Sequence, residues 1–530
     1  MKKTLKFSAL SVVLTLIFLV GCSEKNNTEI KTFTGFFSGN YADSISDNNV
    51  IQDIIAEKIG AECIEIRETD DANAIDKMIL SEKYPDFIYG ASHTARLIDS
   101  GAFIPIDEYW DKYDNIKNYF TPEEWDKIRS DDGHIYYIPS FSKCYMHDTD
   151  TIHSDEAFWI QVRVLKWAGY PEINTLDEYF DLIERYLEAN PENIGYEILT
   201  DGYFYFGFEN PPQFLDGYPN DGACIVDTEN LVAIDYNTTP TAEKWFRKLN
   251  EEYHKGIIDS DSFVMNKQQY LDKISQGNVL GMTDQYWNFG SAVASLPDEC
   301  QYIPLGIVIE DGIEEHYHSQ VALDVSQGIG ISVSCDDVDG ALKFINDLLE
   351  PEILNLRFWG IEGTDYSKDE NGVFYLTDEQ RDRLYNDEIQ RTEKCSYSYF
   401  PFYKGMNQDG INAYSPQYQP AEFYKGLSDI MKECFDAYGV KTFVELLNQA
   451  GENPPWYPMW SYTNTFTSDT PYGKAKEDMD NVKHEYLPAV VMSSDFDSAW
   501  AEYMEAYKER CDVDAYLDAL TEEIRRWGQK

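Results

Sequence analysis

The sequence predicts an α/β protein that begins with a parallel sheet. Three observations support this class: predicted strands alternate with helices after residue 31, hydrophobic residues make up 43% of the chain, and the chain has 530 residues. Alternating strands and helices form parallel sheets with helical crossovers. The hydrophobic content argues against global disorder, and the length suits two or three domains.

The first five elements are predicted from the periodicity of apolar residues. In order they are a β-prone run at 32–37, a helix over 51–59, a half-buried strand at 64–67, a helix over 75–79 and a strand at 87–89. In parallel sheets, ligands bind beyond the carboxyl ends of the strands. A pocket is therefore expected to begin at residues 38–41 and 90–93.

Later elements are predicted from turns, caps and apolar stripes. Thr175 and Glu178 have the spacing of a capping box before an amphipathic helix. Asn371-Gly372 predicts a hairpin turn. The remaining predictions are a turn and strand at 132–139, a strand ending near Asp284 and Trp287, a helix over 338–350, and amphipathic helices at the end of the chain that include 503–527.

The first 22 residues have the pattern of an export signal. Three lysines precede an apolar run, Phe7 to Val20, that is shorter than the roughly 20 residues of a membrane span. The run is followed by Gly21-Cys22 and a short polar tether to residue 30. Leu19-Val20-Gly21-Cys22 resembles a bacterial lipobox, which implies cleavage of residues 1–21 and a lipid on Cys22. We expect an exported protein anchored to the outer face of the cell membrane.

Composition limits the partners. Cleavage would remove three lysines and no acids, which changes the formal net charge from −52 to −55. Such a surface repels phosphate backbones, so nucleic acid is not an expected partner, and anionic lipid headgroups would not hold the protein without the anchor. The 39 Tyr and 11 Trp are either core residues or stacking surfaces for a ligand with apolar faces, such as a sugar.

We predict no cofactor and no metal ligands. The eight cysteines after Cys22 contain no C-x-x-C pair, and their pairing is left open. Ser367 to Asp378 partly matches a calcium loop, but it lacks the first Asp and the final Glu, so a plain hairpin is favoured. His316 and His318 would share one face of a strand, and two imidazoles are too few for a convincing site.

A set of landmarks resembles one family when it is taken in order. These are the lipobox, IDSGAFIPIDEY, DGHIYYIP, a helix from Trp159 to Gly169 followed by TLDEYFDLI, the strand ending near Trp287, and WGIEGTDYSKDENG. Together they resemble the large lipoprotein solute-binding proteins of Gram-positive carbohydrate ABC importers, which are similar to the maltose-binding class.

The resemblance implies a two-lobe periplasmic-binding-protein-like fold with a hinge and a ligand cleft. Its expected lobes are 31–145 with 325–400 and 146–324 with 401–530, and the chain would cross between them near 140–150, 315–325 and 400. Closure on a sugar and delivery to the permease subunits are implied as well. We expect a monomer.

One position departs from the family pattern. Where relatives often read Trp-Ile-Arg-x-Asp, Trp159-Ile160 is followed here by Gln161 and then Arg163. An Arg163 that faces the cleft would favour an acidic sugar, whereas one that faces solvent would take no part in binding.

Sugar recognition requires aromatic faces together with polar side chains that bind hydroxyl groups. The candidate ligand-binding residues that follow strands or lie in aromatic segments are Asn40, Tyr41, Ser92, His93, Tyr203, Asp284, Trp287, Trp359, Glu362 and Trp456. For each aromatic residue, a place in the core is the alternative. The resemblance implies a binding protein, and we predict no enzyme, since the chain has no G-x-S-x-G, H-E-x-x-H, P-loop or G-x-G-x-x-G motif to support one. A peptide receptor and a surface glycoside hydrolase are the alternatives.

Overall fold

The computed structural model describes most of the chain after the tether. The described residues are 30–38, 49–68, 71–140, 147–219, 222–293, 296–318, 323–384, 386–394, 397–448 and 459–528. The lipidation candidate Cys22 and the ligand-binding candidates Asn40, Tyr41 and Trp456 lie outside them. Among the described residues, no helix is long and apolar enough to cross a membrane.

Strands occur throughout the first three quarters of the chain. They are β1 (Lys31–Phe37), β2 (Ala61–Ile66), β3 (Phe87–Tyr89), β4 (Tyr137–Ile138), β5 (Glu156–Gln161), β6 (Ile194–Glu197), β7 (Ile225–Asp227), β8 (Val232–Ile234), β9 (Val279–Gln285), β10 (Tyr302–Leu305), β11 (Ile329–Ile331), β12 (Ser367–Lys368) and β13 (Phe374–Tyr375).

Helices connect these strands and predominate in the described residues after β13. They are α1 (Val50–Ile59), α2 (Asp71–Ser81), α3 (Thr94–Asp99), α4 (Asp114–Lys117), α5 (Pro122–Ile128), α6 (Val162–Ala168), α7 (Leu176–Ala189), α8 (Phe206–Glu209), α9 (Pro211–Leu215), α10 (Pro240–Lys255), α11 (Lys267–Ser275), α12 (Tyr286–Val293), α13 (Val338–Leu348), α14 (Pro351–Phe358), α15 (Asp378–Leu384), α16 (Asp387–Glu393), α17 (Pro420–Gly426), α18 (Asp429–Tyr438), α19 (Met459–Thr463), α20 (Pro471–Met492), α21 (Phe496–Arg510) and α22 (Val513–Gly528).

The N-terminal sheet has the strand order β2-β1-β3-β11-β4. β1 pairs in parallel with both β2 and β3, with α1 and α2 as the crossovers, so the predicted β-α-β-α-β order is confirmed. β11 is antiparallel to β3 and β4. The carboxyl ends of β1, β3 and β4 therefore share one edge of the sheet with the amino end of β11.

The C-terminal sheet has the order β10-β5-β9-β6. β6 is parallel to β9, whereas β5 is antiparallel to both β9 and β10. The carboxyl ends of β6, β9 and β10 therefore share an edge with the amino end of β5. The chain connects the two sheets twice, once between β4 and β5 and once between β10 and β11, and the strand ends at both connections lie at the edges just described.

Two large hydrophobic cores lie on these sheets. The first draws on residues between 33 and 138 and between 323 and 400, and the second on residues between 157 and 317 and between 431 and 524. The segment after residue 400 still contacts the first lobe, because the Tyr119 hydroxyl donates to the Phe402 carbonyl at 2.7 Å. The result is the two-lobe α/β architecture that the family resemblance implied.

The local predictions have mixed outcomes. The Thr175 and Glu178 capping box before α7 is confirmed, and so is the hairpin, in which β12 and β13 are antiparallel. The helix expected from Trp159 is wrong at its start, because residues 156–161 form the buried strand β5 and only α6 is helical. The predicted helix over 503–527 is two helices, since the Asp512 carboxylate accepts a hydrogen bond from the Ala515 amide at the start of α22.

Strand β2 alternates as predicted, but its two isoleucines face outward. Ile64 and Ile66 are 54% and 40% exposed, while Cys63 is buried. Glu65 lies on the inner face, where its Oε2 is 2.7 Å from Arg67 Nη2. The ion pair allows the carboxylate to occupy the inner face, and hydropathy alone does not reveal such a pair.

Candidate functional site

The candidate site lies at the edge of the C-terminal sheet where both connections to the first lobe join it. The carboxyl ends of β6 and β9 lie along this edge. Residues 257–258 run beside β6 in the same direction through the Tyr196–Ile258 bridge. β6, β9 and residues 257–258 are therefore parallel, and the residues that follow them lie at the same edge of the sheet. Open α/β sheets bind ligands at such an edge.

An exposed group of aromatic rings occupies this edge. We call it the aromatic platform, and it consists of Tyr203, Phe204, Phe206 and Trp287. The ring centroids of Phe206 and Trp287 are 6.0 Å apart, and those of Tyr203 and Phe204 are 5.3 Å apart. Tyr203 is 73% exposed and Trp287 is 44% exposed. Exposed rings at the end of a buried sheet are a surface on which the apolar face of a sugar ring can stack.

A chain of hydrogen bonds fixes the orientation of Trp287. Its indole N–H donates to Gln285 Oε1, and Gln285 Nε2 donates to Glu156 Oε2 at 3.4 Å. The same carboxylate oxygen accepts from Asn210 Nδ2 at 3.0 Å, and Tyr236 donates to Asn210 Oδ1 at 3.0 Å. The orientation of Trp287 is therefore linked to a buried polar network, which preorganises this ring for a ligand.

Asp284 was predicted to bind ligand, but it lies inside the protein. Its carboxylate accepts hydrogen bonds from the Tyr270 hydroxyl at 2.7 Å, the Gln285 amide at 2.7 Å and Asn288 Nδ2 at 3.1 Å. Burial raises its pKa to about 6. The structure therefore gives Asp284 a supporting position beneath the platform, because six of the seven residues of β9 are buried and those on both faces point into the core.

Ser92 and His93 follow β3 at the facing edge of the N-terminal sheet, in a 3-10 turn over Ala91–His93. Ser92 is exposed and His93 is half-buried, and the contact of both with a ligand stays a prediction. Ala91 has a φ of +46°, which is uncommon for a residue with a Cβ and marks a tight turn at this edge.

Trp359 and Glu362 are not part of this edge in the structure. Trp359 is buried in a small separate core with Tyr366 and Phe374, and its indole donates to the Ala413 carbonyl at 2.9 Å. Trp359 is therefore a core residue, which was the alternative given for each aromatic candidate. Glu362 is exposed on the loop that follows α14.

Arg163 faces neither the cleft nor open solvent. Its guanidinium donates to Gln161 Oε1 at 2.6 Å, to Asn193 Oδ1 at 2.8 Å and to the Gly277 carbonyl at 2.8 Å. Asn193 and Gly277 immediately precede β6 and the β9 segment, so this cluster is at the opposite edge of the C-terminal sheet from the platform. Arg163 has no access to a ligand on the platform.

A buried acid at the end of β6 predicts a pH dependence of stability. Glu197 accepts a hydrogen bond from the Ser262 hydroxyl at 2.6 Å, and burial raises its pKa to about 7 from a usual value of 4.5. The folded state therefore holds this proton more tightly than the unfolded state does. The resulting stability is fully present below about pH 4.5 and is lost as the pH rises toward 7.

We expect Glu197→Gln to remove this loss, because the amide does not ionise and can still accept from Ser262. At pH 8 the variant should be more stable than the wild type, by an amount on the order of 3 kcal/mol. Urea unfolding at pH 5 and pH 8 measures the difference. Glu299→Gln, at an exposed acid, controls for the loss of one negative charge. Identical pH dependences in the Glu197 variant and the wild type would contradict the assignment.

Known proteins resemble this chain in part of its sequence and in its fold. No family model matches the chain. A curated relative, the fructooligosaccharide ABC transporter substrate-binding protein FusA of Streptococcus pneumoniae, is 28% identical over 210 residues, which are 37% of this chain and 38% of the relative. The match thus spans well under half the length of that relative.

Solved structures match over almost the entire chain. FusA in complex with kestose has a TM-score of 0.69 at 15% identity, covering 94% of this chain and 100% of that one. A solute-binding protein from Bifidobacterium longum infantis, described as binding HMO, has a TM-score of 0.65 at 16% identity, covering 94% and 98%. The alginate-binding protein AlgQ2 without calcium has 0.63 at 16% identity, with the same coverage. These similarities confirm the predicted fold, and the proteins they involve are described as solute-binding, substrate-binding or alginate-binding proteins.

Proposed function

We propose that this protein is the extracellular, lipid-anchored substrate-binding component of an ABC importer and that its ligand is an oligosaccharide or sugar derivative. The observation that carries the proposal is the exposed aromatic platform at the strand ends that face the other lobe. Sugars expose apolar C–H faces that stack on aromatic rings, and few other small solutes of similar polarity do so. The relatives are named for fructooligosaccharide, HMO and alginate, which are all carbohydrates.

The proposed mechanism is closure of two lobes around the ligand. The lobes proposed are 31–145 with 325–400 and 146–324 with 401–530, joined by the passages between the sheets. A sugar that stacks on the platform would be covered by the facing edge, which carries Ser92 and His93. Because the ligand would contact both lobes only in the closed state, it shifts the balance between open and closed forms. The closed complex is then the form that the permease subunits receive.

Thermal-shift screening of residues 23–530 tests the ligand class. Oligosaccharides, uronic-acid oligosaccharides and short peptides are supplied separately, and a ligand at one hundred times its dissociation constant stabilises the folded state by about 2.7 kcal/mol. We expect a shift with one class of glycan, recovery of that glycan intact, and compaction in small-angle X-ray scattering. A shift with peptides alone would show that the ligand is a peptide and would overturn the carbohydrate proposal. Release of glycan fragments would instead indicate a hydrolase.

If Cys22 carries the lipid anchor, replacing its sulfur with oxygen should change where the protein is found in the cell. We expect Cys22→Ser to abolish incorporation of labelled palmitate, because the hydroxyl group would not accept the lipid that the thiol accepts. The protein should leave the membrane fraction or stay unprocessed. Cys511→Ser, at a half-buried cysteine of the folded part, is the matched control and should keep its label. Normal lipid labelling of the Cys22 variant would contradict the lipobox assignment.

A further inference from the structure

Lys267, the first residue of α11, brings a cation to the aromatic platform. Its Nζ lies 4.2 Å from the ring centroid of Phe204 and 5.9 Å from that of Trp287. The side chain is half-buried. The ammonium group therefore makes cation–π contacts with these two rings, and such contacts are weaker than an ion pair with a carboxylate.

Other lysines in similarly sheltered positions have acidic partners. Lys248, Lys273, Lys394 and Lys483 have side chains that are 7–21% exposed, and each lies within 4 Å of a carboxylate. No ion pair within 4 Å is formed by Lys267 in the part of the chain that the structure describes. The charge of Asp284 acts on Lys267 through space, but the oxygens of that carboxylate already accept hydrogen bonds from Tyr270 and Asn288.

The chemistry of this position favours an anionic partner. Burial withdraws water from the ammonium group and lowers the pKa of Lys267. A carboxylate that reached Nζ would replace the lost hydration with a charge-assisted hydrogen bond, which is about twice as strong as a neutral one. The chain has 95 acidic residues and 43 lysines and arginines, so most of its surface repels anions. The ammonium group of Lys267 instead attracts an anion at the aromatic platform.

We propose that Lys267 binds a carboxylate of the ligand, so that the preferred cargo is an acidic oligosaccharide carrying uronic-acid residues. The inference rests on the proposed function and goes beyond it by naming the substrate class. A sugar ring stacked on Trp287 would place a ring substituent within reach of the ammonium group. Lys267 is then a specificity-determining residue, and it takes the role that Arg163 was considered for and that the position of Arg163 excludes.

Isothermal titration calorimetry with matched ligand pairs tests the inference. The probes are tetramers of glucuronate, galacturonate and mannuronate, each compared with its fully methyl-esterified form, which keeps the sugar rings and removes the charge. Neutral cello-, malto- and fructo-oligosaccharides are included. We expect the wild type to bind at least one acidic tetramer tenfold or more tightly than its ester.

Three variants separate charge from stacking. Lys267→Met keeps an apolar stem of similar length and should remove the preference while changing the affinity for the ester less than twofold. Lys267→Arg keeps the charge and should retain most of the preference. Lys244→Met, at an exposed lysine paired with Glu310, is the control and should behave as the wild type. Urea unfolding of each variant confirms that it is folded.

Each contrary result has a separate meaning. If the wild type binds neutral glycans as tightly as acidic ones, or binds only neutral glycans, the inference is overturned and the proposed function stands. If Lys267→Met weakens acid and ester equally, Lys267 supports the platform and the inference is again overturned. If no carbohydrate binds at all, the proposed function itself fails, and the inference fails with it.

Discussion

Replacing Trp287 with Ala is expected to raise the dissociation constant for the carbohydrate ligand about 30-fold, which corresponds to about 2 kcal/mol. The substitution removes the largest ring of the aromatic platform and leaves Gln285 Oε1 without the indole N–H that donates to it. The melting temperature of the unliganded protein should change little, because the Trp287 side chain is 44% exposed and leaves no closed cavity when it is truncated.

Titration calorimetry of the wild type and the variant measures this effect with the glycan identified by the thermal-shift screen. The matched control is Trp167→Ala. Trp167 is 48% exposed, lies in the same lobe on α6, and packs against Tyr186 rather than against the platform. Binding by the Trp167 variant should equal that of the wild type. An affinity of the Trp287 variant within twofold of the wild type would remove Trp287 from the ligand site.

The parts of the fold that could be predicted from sequence are those with local causes. The β-α-β-α-β order of the first lobe follows from apolar periodicity, and α7 begins where the capping box of Thr175 and Glu178 places it. The position of β5 could not be predicted in this way. Its residues Trp159 and Ile160 precede a helix without a turn residue between, and only pairing with β9 and β10 makes the segment a strand.

The site was predicted in part for a similar reason. Trp287 comes directly after a strand, so the rule that ligands bind at strand ends identifies it. Asp284 comes from the same strand but points inward, because β9 is covered on both faces and period-two alternation then carries no information about exposure. Lys267 was missed because the feature that distinguishes it is its distance from Phe204 and Trp287, which lie 63 and 20 positions away in the sequence.

Arg357 joins the first lobe to the segment that leaves it, and its guanidinium forms four hydrogen bonds at that junction. From α14, Nη1 donates to the carbonyls of Leu348 and Pro401 at 3.1 and 2.8 Å. Nη2 donates to the carbonyls of Tyr397 and Phe400 at 2.6 and 3.0 Å. The residue is 6% exposed, so these four bonds are shielded from solvent in the folded protein.

Arg357→Leu is therefore expected to lower the free energy of unfolding of the first lobe by about 4 kcal/mol, since it leaves four buried carbonyls short of a donor. Urea unfolding followed by tryptophan fluorescence measures the loss, and faster hydrogen exchange in residues 397–401 locates it. Arg357→Lys should lose less, because one ammonium group still reaches some of the carbonyls. Arg510→Leu, at an exposed ion pair with Glu485, should cost at most about 1 kcal/mol. An Arg357→Leu effect as small as that of Arg510→Leu would show that residues 397–401 are held to the first lobe by apolar packing, with the guanidinium contributing little.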